Sequence, residues 1–430
     1  MNGDTERWGL LAVLVLGLAL AGVIAGSLAS TTGGGLSGAV GEVDGVTYNQ
    51  SISVTVEDGL NESEREVLVA RSMARVEVIR GLAFEERVGV EVISREEYRN
   101  RRNPDRSETE RTWENLRWEA LFIIGEDRDA ATVLNETFGS SVLGYYSPSN
   151  EQIVVVSDAE EPTLDTGTLV HELVHALQHQ RFGLAHDAET TDAKQARDSV
   201  IEGEAELVSE RYLDRCGTNW SCVRPPTENT SIDLSLGVQL QLLAPYTQGQ
   251  TFVETVQERG GWEAVDDLHG QLPGSSTQFI HPDRYPGADP VEVTVVDRSG
   301  EEWHRLDATD TLGEASVYTM LVHSEVLKSQ TGYDHPFSAG WTGGQMALYE
   351  RDGEFGYVWE TVWETPTDAE QFALAYRDVL EANGGVATGE DLAVVPDSGF
   401  EDAFRVTREN TTVRIVNAPT VEGLTGVHGG

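Results

Sequence analysis

A five-residue motif inside an apolar stretch limits the possible folds of this chain more than any other feature. His171 and His175 lie four residues apart, and Glu172 directly follows the first of them. The flanking residues are apolar, namely Leu169, Val170, Leu173, Val174 and Leu177. This pattern predicts a buried helix on which residues i and i+4 share one face. Because unpartnered imidazoles and carboxylates are costly to bury, the fold must give these side chains partners.

The most specific partner is one metal ion held by both imidazoles. Zinc binds neutral histidine nitrogens and lowers the pKa of its bound water to about 7, and Glu172 is placed to accept a proton from that water. We therefore predict a zinc site suited to the hydrolysis of peptide bonds. His179 continues the same face one turn further, so we interpret it as a neighbour of the site or an exposed residue. The alternative is a core helix with two hydrogen-bonded histidines.

A downstream acidic helix offers the third ligand. Glu202 follows His175 by 27 residues, which is enough for one turn and a returning helix, and Gly203 would let a neighbouring helix approach closely. Glu206, one turn further on, is the main alternative as third ligand. The other possibility is that these glutamates belong to an acidic helix exposed to solvent and bind no metal. Arg181 stands where metzincin peptidases have a third histidine, which excludes that class.

The sequence HELVHALQ from His171, followed by EGEA from Glu202, resembles gluzincin-type zinc metallopeptidases. The resemblance implies a zincin-like fold, a Zn²⁺ cofactor, a peptide or protein substrate, and Glu202 as the third ligand. The wider pattern is similar to a haloarchaeal surface-protein family of predicted peptidases, through residues 142–146, 153–157, 275–285, 312–314 and 340–341. Where those relatives tend to have Gly-Gly-Asp-Arg, residues 342–345 are Thr-Gly-Gly-Gln, so a charge is missing here.

A peptidase of this kind also needs a donor for the oxyanion of the tetrahedral intermediate. His281 and Tyr285 are the candidates that we favour as catalytic residues, on a proline-bounded loop. Tyr145 and Tyr146 are others, on a predicted hairpin just before the zinc helix, where an edge strand could pair with an extended substrate. Each of the four could equally be a packing residue.

The charge balance restricts the partners and the environment. The chain has 73 acidic and 30 basic residues, a formal net charge of −43, and only two lysines, Lys194 and Lys328. Nucleic acid is excluded as a partner, because a phosphate backbone requires a basic face. A surface so acidic and poor in lysine is typical of molar salt, where repulsion between carboxylates is screened. We therefore predict a halophilic protein.

The N-terminal region predicts export. Residues 8–29 carry no charge and are long enough to cross a bilayer, so we interpret 1–29 as a signal peptide or a membrane anchor, with both possibilities open. Residues 30–45 are predicted to be a glycine-rich tether, and 46–430 a single ectodomain at the cell surface.

Two further features agree with export. Cys216 and Cys222 are the only cysteines and are predicted to form a disulfide in an oxidising compartment. Six glycosylation sequons are also present, at Asn49, Asn61, Asn135, Asn219, Asn229 and Asn410.

The order of predicted elements mixes helices and hairpins without repeated βαβ units, which predicts an α+β fold. Two functions fit this chain: a cell-surface zinc metallopeptidase, or a non-catalytic structural or binding protein on the same scaffold. The intact Glu172 favours the peptidase, because a purely structural zinc site has no use for a base.

Overall fold

The chain is an α+β protein, as predicted, in the computed structural model. The structure describes Leu36 and residues 39–54, 59–101, 107–184, 188–223, 235–328, 332–396 and 398–429. The apolar segment 8–29 lies outside the described residues, so its role as a signal peptide or anchor stays a prediction. Within the described ranges, no helix is both long and apolar enough to span a membrane.

The folded N-terminal part begins with a small hairpin of β1 (Glu42–Val43) and β2 (Val46–Thr47). It packs on helix α1 (Glu62–Arg80), whose Glu77 carboxylate accepts a hydrogen bond from the Gly41 amide at 2.8 Å. Val43 is fully buried there. Residues 42–45, which we expected in the tether, therefore belong to the folded body, because a buried valine anchors them.

A three-stranded sheet lies beside the predicted zinc helix. Strand β3 (Gly89–Ile93) is parallel to β5 (Gln152–Val156), and β4 (Gly144–Ser147) pairs antiparallel with β5, which confirms the predicted hairpin. The order β3-β5-β4 leaves β4 at the edge of the sheet. The connection from β3 to β4 holds three helices, α2 (Arg95–Arg101), α3 (Glu108–Ala120) and α4 (Ala130–Ser141).

Two of the next three long helices were predicted from sequence. The apolar pattern predicts a helix over 163–182, but helix α5 (Thr166–Phe182) begins three residues later, because Asp165 caps it by accepting a hydrogen bond from the Thr168 amide. Helix α6 (Thr191–Arg215) follows, with Thr190 as its N-cap. The third is α7 (Leu236–Gly270), which we did not predict.

Helix α7 continues through Pro245, which lacks an amide to donate to the Gln241 carbonyl four residues earlier. The side chain of Gln195, on α6, donates to that carbonyl at 3.0 Å instead. A hydrogen bond between helices thus replaces the one that proline removes within the helix.

Helices α6 and α7 cross at two glycines. A Cβ atom added to Gly203 would collide with the backbone of Gly249, and one added to Gly249 would collide with the backbone of Ser199. The close helix approach predicted at Gly203 is confirmed, and it brings α7 against the part of α6 that holds Glu202.

Gly203→Ala should therefore lower stability by about 1–3 kcal/mol or more, because backbone atoms cannot move aside as a flexible side chain can. The midpoint of thermal unfolding in molar KCl measures this loss. Gly270→Ala, at the end of α7 where no atom lies within 4 Å of the new methyl group, is the matched control and should leave the midpoint unchanged or slightly higher. Equal midpoints for the two variants would contradict the close crossing.

The predicted disulfide between Cys216 and Cys222 is confirmed, with a Cα–Cα distance of 5.4 Å. It closes a short loop after α6 that contains Trp220. The Arg75 guanidinium of α1 lies over the Trp220 ring, 4.7 Å from its centroid, so the loop is held against the helical core.

The C-terminal part is a seven-stranded antiparallel sheet in the order β6-β7-β8-β12-β11-β10-β9. Its strands are β6 (His304–Asp310), β7 (Trp341–Arg351), β8 (Glu354–Trp363), β9 (Val386–Ala387), β10 (Leu392–Val394), β11 (Ala403–Glu409) and β12 (Thr412–Ala418). Helix α10 (Pro366–Ala382) packs against β8, β11 and β12, with Phe372 on Trp363 and Tyr376 near Trp359. Three more helices complete the fold, α8 (Ser276–Ile280), α9 (Glu314–His323) and α11 (Val421–Val427).

Candidate metal centre

Three side chains from α5 and α6 converge in the interior. One ligand atom each from His171, His175 and Glu202 lies within 4.8 Å of the others. The Glu202 Oε2 atom is 3.2 Å from His171 Nε2 and 3.3 Å from His175 Nε2. All three residues are buried, with at most 3% of any of them exposed.

The spacing of these atoms fits a small tetrahedral cation. Ligands about 2.0–2.1 Å from a tetrahedral zinc ion are about 3.3–3.4 Å from one another, close to the two distances observed. The 3.3 Å contact with Glu202 is not oriented as a hydrogen bond, so the buried His175 Nε2 atom has no hydrogen-bond partner among the described residues. A metal ion is the partner that would satisfy this nitrogen, so the residues present fit Zn²⁺.

The second ring nitrogen of each histidine faces an oxygen acceptor. His175 Nδ1 lies 2.9 Å from Gln178 Oε1, and His171 Nδ1 lies 3.4 Å from Glu206 Oε1. Such outer contacts fix the tautomer and orientation of metal-binding histidines. Glu206, the rival third ligand, therefore lies on the far side of the His171 ring from Glu202.

A buried polar network supports His175 through Gln178, the residue that its Nδ1 atom faces. The Gln178 amide nitrogen donates to the Ile201 carbonyl at 2.9 Å and to the Glu204 carboxylate at 3.0 Å. Glu204 also forms an ion pair with Arg80, and its Oε2 atom lies 2.7 Å from His269 Nε2. This chain of contacts connects α1, α5, α6 and α7, so the orientation of His175 depends on all four helices.

Glu172 lies beside the three converging residues and is almost completely buried, with 1% exposed. The Tyr146 amide of strand β4 donates to its Oε2 atom at 2.7 Å. Burial raises the pKa of Glu172, while the nearby histidines act to lower it. One carboxylate oxygen is thus held by the edge strand, close to the metal-binding face.

Tyr246 on α7 is a member of the site that the sequence analysis missed. Its ring is nearly parallel to the His171 ring, at an interplanar angle of 16° and a centroid distance of 6.2 Å. Its buried hydroxyl lies close to the Glu202 carboxylate but forms no hydrogen bond of good geometry among the described residues. Burial, together with the charges of Glu202, Asp198 and Glu172, raises its pKa well above the usual range. The hydroxyl therefore stays protonated and available as a donor.

The electrostatics around the histidines follow from three neighbouring carboxylates. Burial acts to lower the pKa of His171, but its contacts with Glu202 and Glu206 outweigh burial and raise it well above the usual range. Burial conversely acts to raise the pKa of Glu202, and the two histidines overcome this and lower it to about 2. Glu202 is thus ionised at neutral pH, as a metal ligand must be.

A cavity of about 140 Å³ adjoins the centre, since Glu202 and Tyr246 are among its lining residues. Trp118 and Leu121 contribute apolar walls. Lys194, one of the chain's two lysines, also lines it. The cavity can accept part of a ligand next to the converging ligand atoms.

The four candidate oxyanion donors from the sequence contact other groups. His281 Nε2 lies 2.7 Å from Glu314 Oε1, and the Tyr285 hydroxyl donates to the Gln271 carbonyl. The Tyr146 hydroxyl lies 2.9 Å from His179 Nδ1, which makes His179 a neighbour of the hairpin rather than an exposed residue. The half-buried Tyr145 packs against Tyr98.

His281 and Glu314 form a separate cluster near the beginning of α6. Ser276, at the start of α8, donates to the Asp192 carboxylate and also accepts a hydrogen bond from the Ala315 amide. Asp192 precedes Glu202 by ten residues, which is about 15 Å along a helix. The described contacts thus bring His171, His175, Glu202 and Glu172 together, but place neither His281 nor Tyr285 with them.

Comparison with known proteins gave one match. A family described as "Domain of unknown function (DUF8575)" matches residues 304–428. No curated protein and no solved structure matched the chain. The matched region runs from β6 to the end of α11, so it covers the seven-stranded sheet and excludes the candidate metal centre.

Proposed function

We propose that this chain is a zinc-dependent metallopeptidase with a zincin-like catalytic region, exported to the cell surface. The observation that carries the proposal is the convergence of His171, His175 and Glu202 around one point, with Glu172 alongside. Two histidines and one glutamate leave a fourth position open for water or substrate, as catalytic zinc sites require.

The chemistry follows from the groups around this point. When bound there, zinc would lower the pKa of a coordinated water to about 7 and polarise the scissile carbonyl. Glu172 is the general base in this proposal, because its carboxylate is buried and held by the Tyr146 amide. Tyr246 takes the role of oxyanion donor that the sequence suggested for His281 and Tyr285, since its protonated hydroxyl forms no hydrogen bond of good geometry among the described residues.

Strand β4 and the cavity suggest how a peptide would bind. β4 is the edge of its sheet and contacts Glu172 through the Tyr146 amide, so an extended peptide could add to this edge. A side chain of that peptide could then enter the cavity beside Tyr246 and Trp118.

The alternative is a non-catalytic surface protein that uses zinc only for structure. Structural zinc sites are usually closed by four protein ligands. Within the described residues, the group that could hold the ion contains three, His171, His175 and Glu202. A buried carboxylate beside an open position favours the peptidase.

Metal analysis of the purified full-length protein tests the ligand set. We expect about one zinc per chain in the wild type and little in His175→Ala or Glu202→Gln. Glu206→Gln is the matched control, because it removes an outer contact of His171 and should weaken zinc binding by about 10–100-fold without abolishing it. Circular dichroism would show that the variants remain folded. Full zinc content in Glu202→Gln would refute the assignment of this ligand.

A further inference from the structure

Two positively charged side chains are buried in the middle of helix α1. Residues 68–77 of this helix are all buried, and Arg71 and Arg75, about one turn apart, are each 1% exposed. Tyr212 of α6 lies near both arginines. Its hydroxyl accepts a hydrogen bond from Arg75 Nη1 at 3.1 Å and also acts electrostatically on Arg71. The two guanidinium groups therefore lie in the interior, where α1 packs on α6.

Arg71 has no partner for its charge in the part of the chain that the structure describes. Its buried Nε atom has no hydrogen-bond partner there, and no hydrogen bond or ion pair of those residues involves its guanidinium group. Burial, and after it the like charge of Arg75, lower the pKa of Arg71 to about 10, so the group is still charged at neutral pH. An isolated charge at this depth is strongly unfavourable unless a partner compensates it.

Arg75 is held by neutral groups and does not supply the missing counter-charge. Its Nε atom donates to the Tyr48 carbonyl at 2.8 Å, and its Nη2 atom donates to the Ser221 carbonyl at 3.2 Å. Together with the Tyr212 hydroxyl, these acceptors satisfy hydrogen bonds but carry no full negative charge. The positive charge of Arg75 therefore adds to that of Arg71.

A third buried arginine of the same helix shows the usual solution. Arg80, also 1% exposed, forms ion pairs with the carboxylates of Glu204 and Asp266. The chain has 73 acidic residues, so a shortage of carboxylates does not explain the lack of a partner at Arg71. Glu77, the buried acid of α1, accepts hydrogen bonds from two backbone amides instead.

We propose that a chloride ion binds to the Arg71 guanidinium group, with Arg75 as a second positive charge beside it. A guanidinium group has five N–H donors and does not lose its proton in proteins, so an anion is the partner that it requires. The depth of the two arginines favours a small anion over a phosphate or a peptide carboxylate. Chloride is small and monovalent, and it is abundant in the salt that a net charge of −43 predicts for this protein.

The bound chloride would hold α1 against α6. Arg75 already contacts Tyr212 of α6, and further along α1 the ion pair of Arg80 with Glu204 belongs to the polar network around His175. An ion at Arg71 would therefore fix the position of a helix on which that network depends. This inference does not depend on zinc or on peptidase activity.

Thermal unfolding of the full-length protein tests the chloride site. The midpoint is measured in potassium chloride and in potassium gluconate at the same molar ionic strength and the same zinc content. Screening of surface charges is then equal in the two salts, and gluconate is too large for a site this deeply buried. Chloride at about 100 times its dissociation constant should raise the midpoint by on the order of 3 °C. Equal midpoints in the two salts would overturn the proposal.

Two variants separate chloride binding from general effects of salt. Arg71→Met replaces the charge with an apolar side chain and should abolish the chloride-dependent rise. In gluconate it should be at least as stable as the wild type, because it removes an unpaired buried charge. Arg87→Met is the matched control, since Arg87 is exposed and pairs with Asp44 at 3.3 Å, and it should keep the full rise. A rise retained in Arg71→Met, or lost in Arg87→Met, would overturn the assignment.

Bromide gives an independent measurement by crystallography. It replaces chloride at anion sites and is located by its anomalous scattering. Crystals of the wild type soaked in potassium bromide should show an anomalous peak within hydrogen-bonding distance of the Arg71 guanidinium group, and crystals of Arg71→Met should lack this peak. Bromide at exposed arginines such as Arg87, with none at Arg71, would contradict the site.

Discussion

Glu172→Gln should keep its zinc and lose peptide hydrolysis by about 10²–10⁴-fold, the usual contribution of a general base. Glutamine has the size of glutamate, and its amide oxygen can still accept the 2.7 Å hydrogen bond from the Tyr146 amide. What the substitution removes is the ability to accept a proton. The rate is measured with unfolded peptide substrates in molar KCl, beside the zinc content of each sample.

Glu206→Gln is the informative comparison for this result. It also replaces a buried carboxylate near His171, but its oxygen faces the outer ring nitrogen rather than the converging ligand atoms. At saturating zinc it should retain most of the activity. If Glu172→Gln hydrolyses peptides as fast as the wild type, or if the wild type cleaves no peptide in a broad set, the non-catalytic function becomes the better proposal.

Tyr246→Phe should lower kcat by about 10²–10³-fold with little change in zinc content, the usual cost of losing one oxyanion donor. Only the hydroxyl is removed, so the parallel packing of the ring on His171 is preserved. KM should change much less than kcat, because the hydroxyl is proposed to act on the charge that develops during reaction rather than on the bound substrate.

Tyr333→Phe provides a matched control, because Tyr333 contacts the same helix from a loop outside it. Its buried hydroxyl donates to the Leu240 carbonyl of α7 at 2.6 Å, and it does not line the cavity. We expect it to lose about 1 kcal/mol of stability, the typical value of one hydrogen bond, with kcat unchanged. Equal losses of kcat in the two variants would show that Tyr246 acts only through the packing of α7.

Helix α5, with its two histidines, and the returning helix α6 were predictable because their signals are local. The i, i+4 histidines, the apolar residues around them and Gly203 all follow from helix periodicity. The start of α5 was predicted three residues too early, because Asp165 is extended and caps the helix, which begins at Thr166.

Helix α7 and Tyr246 were missed for a physical reason. Pro245 is a helix breaker when taken alone, and the tertiary contact with Gln195 makes it tolerable. Gly261 does interrupt α7, since its φ of 72° lies outside the helical region and kinks the helix there.

The glutamine contact at Pro245 also determines which changes in chain length the centre can tolerate. Gln195 and Glu202 are seven residues apart on α6, which places them on the same face two turns apart. Tyr246 directly follows the proline whose missing hydrogen bond Gln195 replaces. A shift of α7 along α6 by one residue, about 1.5 Å, would break the hydrogen bond from Gln195 to the Gln241 carbonyl. It would also displace the Tyr246 ring from the His171 ring. We therefore expect no insertions or deletions between Gln195 and Glu202 or between Gln241 and Tyr246 in proteins that share this centre. The two fixed spacings could be used to recognise such relatives from sequence.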